Sequence, residues 1–388
     1  MRDFNFYNPT KIYFGRHALD NLKNELDNYG NNILFVYGSG SIKKIGLYDK
    51  VIKILKNKHK NVIELANVMP NPTYKKMMEG VELVRLHNID LILAVGGGSV
   101  IDLSKGISAS SYCEEDPYLK YWINQEPLAN KTVPVASILT MTGTGSEMNG
   151  GSVITNEDLN LKIGRVFPYE VYPKFSILNP LYTLSVSPYQ MRSGIFDIFS
   201  HLMEQYFSND DKNVSDDLLE ALMKSLIANT KVACKNPHNY EARSNIMWIS
   251  TLALNRIVGV GKDQDWMVHG IEHQISAYSN CAHGMGLASI SCSYYRHMLP
   301  EGEKKLARFA KNVFGIKKKR GELDKDLALK GISALEKFIN EHNMHYTLKE
   351  LGCDLGMLSK IADSVYIHGF GYKNLTRDDV YDILKESF

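Results

Sequence analysis

The sequence predicts an α/β N-terminal domain built on a parallel sheet, followed by an all-α C-terminal domain. Two observations carry this. Short apolar runs alternate with helically patterned segments through the first half of the chain, the pattern of a parallel sheet with helices on its faces. Ten of the twelve prolines fall at or before Pro188, and only Pro237 and Pro300 follow. A long stretch so poor in proline, with apolar residues every three or four positions, reads as mostly helical. At 388 residues the chain exceeds one ordinary core, so two domains are expected, 1–185 and 186–388.

Taken in order, "NNILFVYG" (31–38), "NVIELANV" (61–68) and "IDLILAVGGG" (89–98) are predicted strands. "GLYDKVIKILKNKH" and "TYKKMMEGVELVRLHN" between them are predicted helices. "KTVPVASILT" (131–140) is a further strand. "GGSVITNEDLNLKIG" (150–164) reads as a hairpin turning at "TNED". The proline-rich "FPYEVYPKFSILNPLYTLSVSP" (167–188) carries the chain into the helical half. There, "SPYQMRSGIFDIFSHLMEQYF" (187–207), "SDDLLEALMKSLIANTKVA" and "RSNIMWISTLALNRIVG" are predicted helices.

Composition narrows the function. The chain is 44% hydrophobic and 23% charged with a net charge of +2, and no block of one sign marks a nucleic-acid surface. "KNKHKN" and "KKKR" are read as solvated ends and loops. Five cysteines without a CxxC pair point to reduced thiols and a cytoplasmic protein. Neither a signal-peptide core nor a run of about 18 apolar residues occurs, so no membrane span is expected.

Three glycine-rich loops stand near predicted strands: "YGSGSIKK" (37–44), "VGGGSVIDLSKG" (95–106) and "TMTGTGSEMN" (140–149). Glycines there let backbone N–H groups approach a phosphate, and the following helix turns its positive end to the anion. Ligands of open α/β sheets collect at that edge, so a nucleotide and a Rossmann-like domain are expected. The GxGxxG fingerprint is absent: Lys43 and Ile101 stand where the third glycine would be. No acidic residue stands directly after the first strand to hold a ribose 2′-OH. The small Gly38, Ser39, Gly40 and Ser41, with Lys43 and Lys44 nearby, tolerate a 2′-phosphate and favour NADP(H) over NAD(H).

In the helical half, Asp197 and His201 are four residues apart on one predicted buried helix, and His269 and His273 share a face of another. His283 follows in the glycine-flanked turn "AHGMG". A buried carboxylate needs a partner or a cation. Five donors exceed what a catalytic metal with an open position takes, so one is expected to be a proton donor or acceptor. Nitrogen and oxygen donors suit one divalent ion, Fe²⁺ or Zn²⁺.

These motifs resemble a known family. "VGGGSVIDLSK", "TGTGSEMN", "GIFDIFSH", "DWMVHGIEH" and "AHGMG", in that order, resemble the iron-containing (group III) alcohol dehydrogenases. "YGSGSIKKIGLYDKV", "FNFYNPTKIYFG" and "MPNPTYKK" are similar to the butanol dehydrogenase branch, whose members reduce aldehydes with NAD(P)H. The resemblance implies a dehydroquinate synthase-like architecture, a small alcohol or aldehyde substrate and a homodimer. It implies Asp197, His201, His269 and His283 as metal ligands, with His273 catalytic beside the nicotinamide and off the metal. Gly38, Ser39 and Ser41 would meet the adenosine phosphate end, with Asn71 near it. Gly97, Gly98, Ser99 and Asp102 would cradle the pyrophosphate. Thr140, Thr144, Asn149, Lys162 and Tyr182 would line the cofactor channel. Ser39 departs from the glycine frequent in this branch. A dehydroquinate synthase-type lyase or cyclase would need a Lys/Arg cluster, and Arg192 and Lys262 are the cations near the site helices. A non-haem iron oxygenase would leave the glycine loops without a role.

Overall fold

The computed structural model describes residues 1–209, 212–369 and 371–388. It divides into two compact units, residues 7–187 and residues 188–388 together with 1–6. The first six residues join the helical unit, where Arg2 pairs with Asp263 and its backbone N–H donates to the Gly261 carbonyl at 2.9 Å.

In the α/β unit the strands are β1 (Lys11–Phe14), β2 (Asn32–Gly38), β3 (Asn61–Val68), β4 (Leu91–Gly96), β5 (Val135–Leu139), β6 (Gly151–Asn156), β7 (Leu161–Val166) and β8 (Phe175–Leu178). Its helices are α1 (Leu22–Glu25), α2 (Ser41–Lys44), α3 (Leu47–Asn57), α4 (Tyr74–His87) and α5 (Gly98–Ser110). Six strands form one parallel sheet, ordered β1-β8-β5-β4-β2-β3. Strands buried on both faces read as continuous apolar runs, and β4, LILAVG, is buried throughout. Ile33, Phe35, Leu93, Val95, Ile138 and Ile177 meet Leu47, Val51 and Leu55 of α3 on one face. Those α3 positions repeat every four residues, the stripe of an amphipathic helix.

β6 and β7 form a separate antiparallel hairpin. Its turn is Glu157–Asn160, two residues beyond the expected "TNED", because β6 runs on through Thr155 and Asn156. Asn160 takes the left-handed conformation, which asparagine tolerates. The segment 167–188 also differs from expectation. It is more than a connection, since Phe175–Leu178 is the parallel strand between β1 and β5.

The second unit is helical: α6 (Pro188–Tyr206), α7 (Val214–Lys235), α8 (Tyr240–Leu254), α9 (Met267–Ser279), α10 (His283–Asn312), α11 (Asp324–Glu341), α12 (Leu355–Ser364) and α13 (Arg377–Glu386). Side chains cap the first turns of α7 and α13: Asn213 accepts from the Asp216 N–H, and Thr376 and Asp379 form a capping box. α10 packs against α6, α9 and α11. No described helix is long and apolar enough to cross a membrane.

Candidate metal centre and nucleotide loops

α6 is buried on nearly every side, so Asp197 and His201, one turn apart, point into the helical core. α9 supplies His269 and α10 supplies His283. His283 is the first residue of α10 rather than part of a turn. The approach of α10 to α6 requires glycine at 284, where a Cβ would lie 1.8 Å from the Ser193 carbonyl oxygen.

Three imidazole nitrogens converge on one carboxylate oxygen. The Nε2 atoms of His201, His269 and His283 stand 3.4, 3.5 and 3.5 Å from Asp197 Oδ1. Donors bonded to a common ion at about 2.1 Å in tetrahedral array are about 3.4 Å apart. Asp197, His269 and His283 offer donors all within 4.8 Å of one another, and His201 adjoins them beside Asp197. Among the described residues, Asp197 Oδ1 and His269 Nε2 are buried without a hydrogen-bond partner. Such atoms call for an ion. The residues fit a divalent metal.

The electrostatics agree. Burial alone would raise the Asp197 carboxyl, but His201, His283 and His269 around it hold it well below the usual carboxylate range. Burial pushes His201 down to about 4, which keeps its ring neutral. Burial works against a charge on His269, yet the Glu204 and Asp197 carboxylates raise it to about 10. The pocket therefore favours positive charge at the His269 nitrogen facing Asp197, where a metal would take the place of the proton.

His273 is half-buried on α9. Its ring centroid lies 6.2 Å from that of His269 and 5.6 Å from that of His283. It groups with Glu272 and His283 rather than with Asp197. Glu272 already accepts from His283 Nδ1 and from Ser276 Oγ, so the Asp197 group is the better metal centre.

Glu204 and Glu272, both fully buried, are residues that sequence reasoning missed. Each stands three positions after a site histidine, in "HLME" and "HGIE". That repeated spacing was the available signal.

A further buried acid lies nearby in sequence. Asp265 accepts from Tyr294 Oη, its Oδ1 has no partner among the described residues, and burial pushes its carboxyl up to about 7. Its folded-state pKa exceeds the unfolded value of about 3.9, so the neutral form stabilises the fold. That contribution is full below about pH 4 and is lost as pH rises to about 7, for a total near 4 kcal/mol. Asp265→Asn should therefore gain in melting temperature relative to the parent from pH 5 upward and level off above about 7. A pH-independent difference would contradict this.

In the α/β unit, the chain passes from β2 to β3 on one side, then returns to β4 on the other. Adjacent strands whose connections diverge mark the place where such sheets bind ligands. The loops after β2 and β4, with Gly38–Ser41 and Gly97–Ser99, stand at its carboxyl edge. Gly40 has φ +122°, open to glycine at little cost. Ser39 and Ser41 are exposed, and Gly97, Gly98 and Ser99 are partly exposed at the start of α5. A Cβ on Gly98 would lie 2.4 Å from Thr144 Cγ2, so glycine there admits the third loop. Lys43 sits over the Tyr37 and Tyr48 rings, 5.2 and 4.6 Å from their centroids.

Asp102 and Asn149 act inside this scaffold. Asp102 accepts from Ser146 Oγ and from the Val153 N–H at 3.0 Å. Lys105 Nζ donates to the Ser146 carbonyl at 3.0 Å and to Asn149 Oδ1 at 3.1 Å. These buried contacts tie α5 to the third loop and the hairpin; a carboxylate turned inward brings no repulsion to a phosphate. Thr140 and Lys162 are buried, while Asn71, Thr144 and Tyr182 are partly exposed. Thr140 donates its N–H to the Gly96 carbonyl at 2.9 Å.

Family models match both parts of the chain: "Iron-containing alcohol dehydrogenase" over residues 9–180, and "Fe-containing alcohol dehydrogenase family, C-terminal" over 191–388. The chain is 36% identical to the NADH-dependent butanol dehydrogenase A of Clostridium acetobutylicum, covering 100% of both. It is 31% identical to the NADPH-dependent aldehyde reductase YqhD of Escherichia coli, over 100% of this chain and 99% of the other. The crystal structure of the NADH-dependent butanol dehydrogenase A of Thermotoga maritima superposes with a TM-score of 0.93 at 34% identity, covering 99% of this chain and 98% of that one.

Proposed function

Since the chain belongs to the iron-containing alcohol dehydrogenase family, we infer that it is an NAD(P)H-linked alcohol dehydrogenase or aldehyde reductase acting on small aldehydes and alcohols. The observation that carries the metal site is the convergence of three Nε2 atoms on Asp197 Oδ1. When bound, the coenzyme supplies a hydride and the divalent ion a Lewis acid for the carbonyl.

The chain's own residues do the rest. Asp197, His201, His269 and His283 hold the ion. Gly38, Ser39, Ser41 and Asn71 bind the adenosine phosphate end, and Gly97, Gly98 and Ser99 bind the pyrophosphate through backbone N–H groups. Asp102 and Asn149 hold those loops in shape. Thr140, Thr144, Lys162 and Tyr182 serve the rest of the coenzyme. His273 delivers or takes the alcohol proton, a task suited to an imidazole near neutral pH. Iron is the favoured ion and zinc the alternative.

The exposed Ser39 and Ser41 with no acid between them leave room for a 2′-phosphate, which supports NADPH as the preferred coenzyme. NADPH oxidation with butyraldehyde should then exceed NADH oxidation at equal subsaturating concentration; the reverse order would overturn that preference, and the Clostridium relative is named as NADH-dependent. Five free cysteines support a reducing, cytoplasmic setting. A homodimer, tested by light scattering, follows from the family resemblance.

The ligand set is tested by metal content. The parent should carry one divalent ion per chain, and His201→Ala, His269→Ala and His283→Ala should each lose most of it. Full occupancy in all three would remove the site.

A further inference from the structure

Glu204 and Glu272 have no part in the proton and hydride steps, yet both are fully buried, where an uncompensated carboxylate is costly. Their partners give the reason. Glu204, on α6, accepts at Oε1 from His269 Nδ1 and at Oε2 from the His269 backbone N–H at 3.1 Å. Ser200 Oγ donates to the same Oε1 at 2.8 Å. Glu272, on α9, accepts at Oε2 from His283 Nδ1 and at Oε1 from Ser276 Oγ. The space it occupies depends on glycine at 286, where a Cβ would lie 2.9 Å from Glu272 Cγ and Oε1.

We propose that Glu204 and Glu272 are positioning residues of the metal centre, each orienting an imidazole carried by a later helix. The proposal rests on the ligand set above. α6 supplies Asp197 and His201 and also holds the ligand of α9; α9 supplies His269 and also holds the ligand of α10. With Nδ1–H committed to a carboxylate, each ring keeps Nε2 as its lone-pair donor and cannot turn. Both Nε2 atoms stand 3.5 Å from the same Asp197 oxygen. His201 Nδ1 is buried without a partner among the described residues, so the bracing is confined to the two ligands that come from outside α6.

The carboxylates also change the charge of the centre. Asp197 alone with three neutral rings leaves a bound dication net positive. Adding Glu204 and Glu272 makes the assembly net negative by one, which favours retention of the ion.

The test uses the full chain, stripped of metal and titrated with Co²⁺ against a chelator, with the visible Co²⁺ absorption recorded. Glu204→Gln and Glu272→Gln keep an acceptor for Nδ1–H but lose the charge; Glu204→Ala and Glu272→Ala lose both. Metal affinity should fall about tenfold in the glutamine variants and about 100-fold in the alanine variants, and the absorption should change. Parental affinity and spectrum in folded variants would overturn the proposal, leaving the glutamates a structural role that lowers only the melting temperature of the metal-free protein. If the alanine variants do not fold, the glutamine pair decides. His269→Ala separates the two levels: parental Co²⁺ binding there would remove the ligand set itself, whereas its loss together with parental binding in the glutamate variants removes only the bracing.

Discussion

His273→Ala is expected to lower aldehyde turnover by about 10²- to 10⁴-fold, the range that a positioned general acid or base contributes, while leaving metal content unchanged. The expectation rests on how α9 divides its histidines. His269 Nε2 faces Asp197 at 3.5 Å, whereas His273 lies outside the Asp197 group. His269→Ala should lose the ion, and with it the activity. Metal content measured beside turnover distinguishes the two residues. Equal metal loss in both variants would contradict the assignment, as would parental turnover in His273→Ala.

Asp216→Ala should destabilise the helical unit by about 3–5 kcal/mol, the cost of removing one partner from a buried ion pair. Asp216 is fully buried in the first turn of α7. Lys262 Nζ donates to its Oδ1 at 2.6 Å, Lys305 Nζ donates to its Oδ2, and the Arg308 guanidinium stands 3.6 Å away. Both lysine side chains are almost wholly enclosed, so alanine would take the Asp216 carboxylate away from two buried ammonium groups. Denaturant unfolding followed by far-ultraviolet circular dichroism measures the loss, and a change below about 1 kcal/mol would show the cluster to be screened like a surface pair.

The central strands were legible because strands buried on both faces are apolar through their buried length, as β4 is along its whole run and β2 is from Ile33 to Tyr37. β1 and β8 were not, because each has four residues and β8 lies between Pro173 and Pro180. A run that short has no period to read. In the metal centre, the i, i+4 spacings of Asp197 with His201 and His269 with His273 were visible, since helical neighbours declare their shared face. Glu204 and Glu272 were not, although each follows a site histidine by three positions. Each binds a histidine from a different helix, and only the packing of α6, α9 and α10 establishes that. Asp102 shows the same limit: its position after the second glycine loop was plain, but its inward hydrogen bonds to Ser146 and Val153 depend on the arrangement of the third loop and the hairpin.

We propose that Asp197, His201, His269 and His283 hold a divalent ion on which NAD(P)H-linked aldehyde reduction depends. The most direct test is NADPH oxidation with butyraldehyde by metal-stripped protein, before and after Fe²⁺ is returned. The stripped protein should oxidise no NADPH, and oxidation should return on addition of about one Fe²⁺ per chain, with Zn²⁺ as the comparison. Full activity in the stripped protein, or none with either ion, would contradict it.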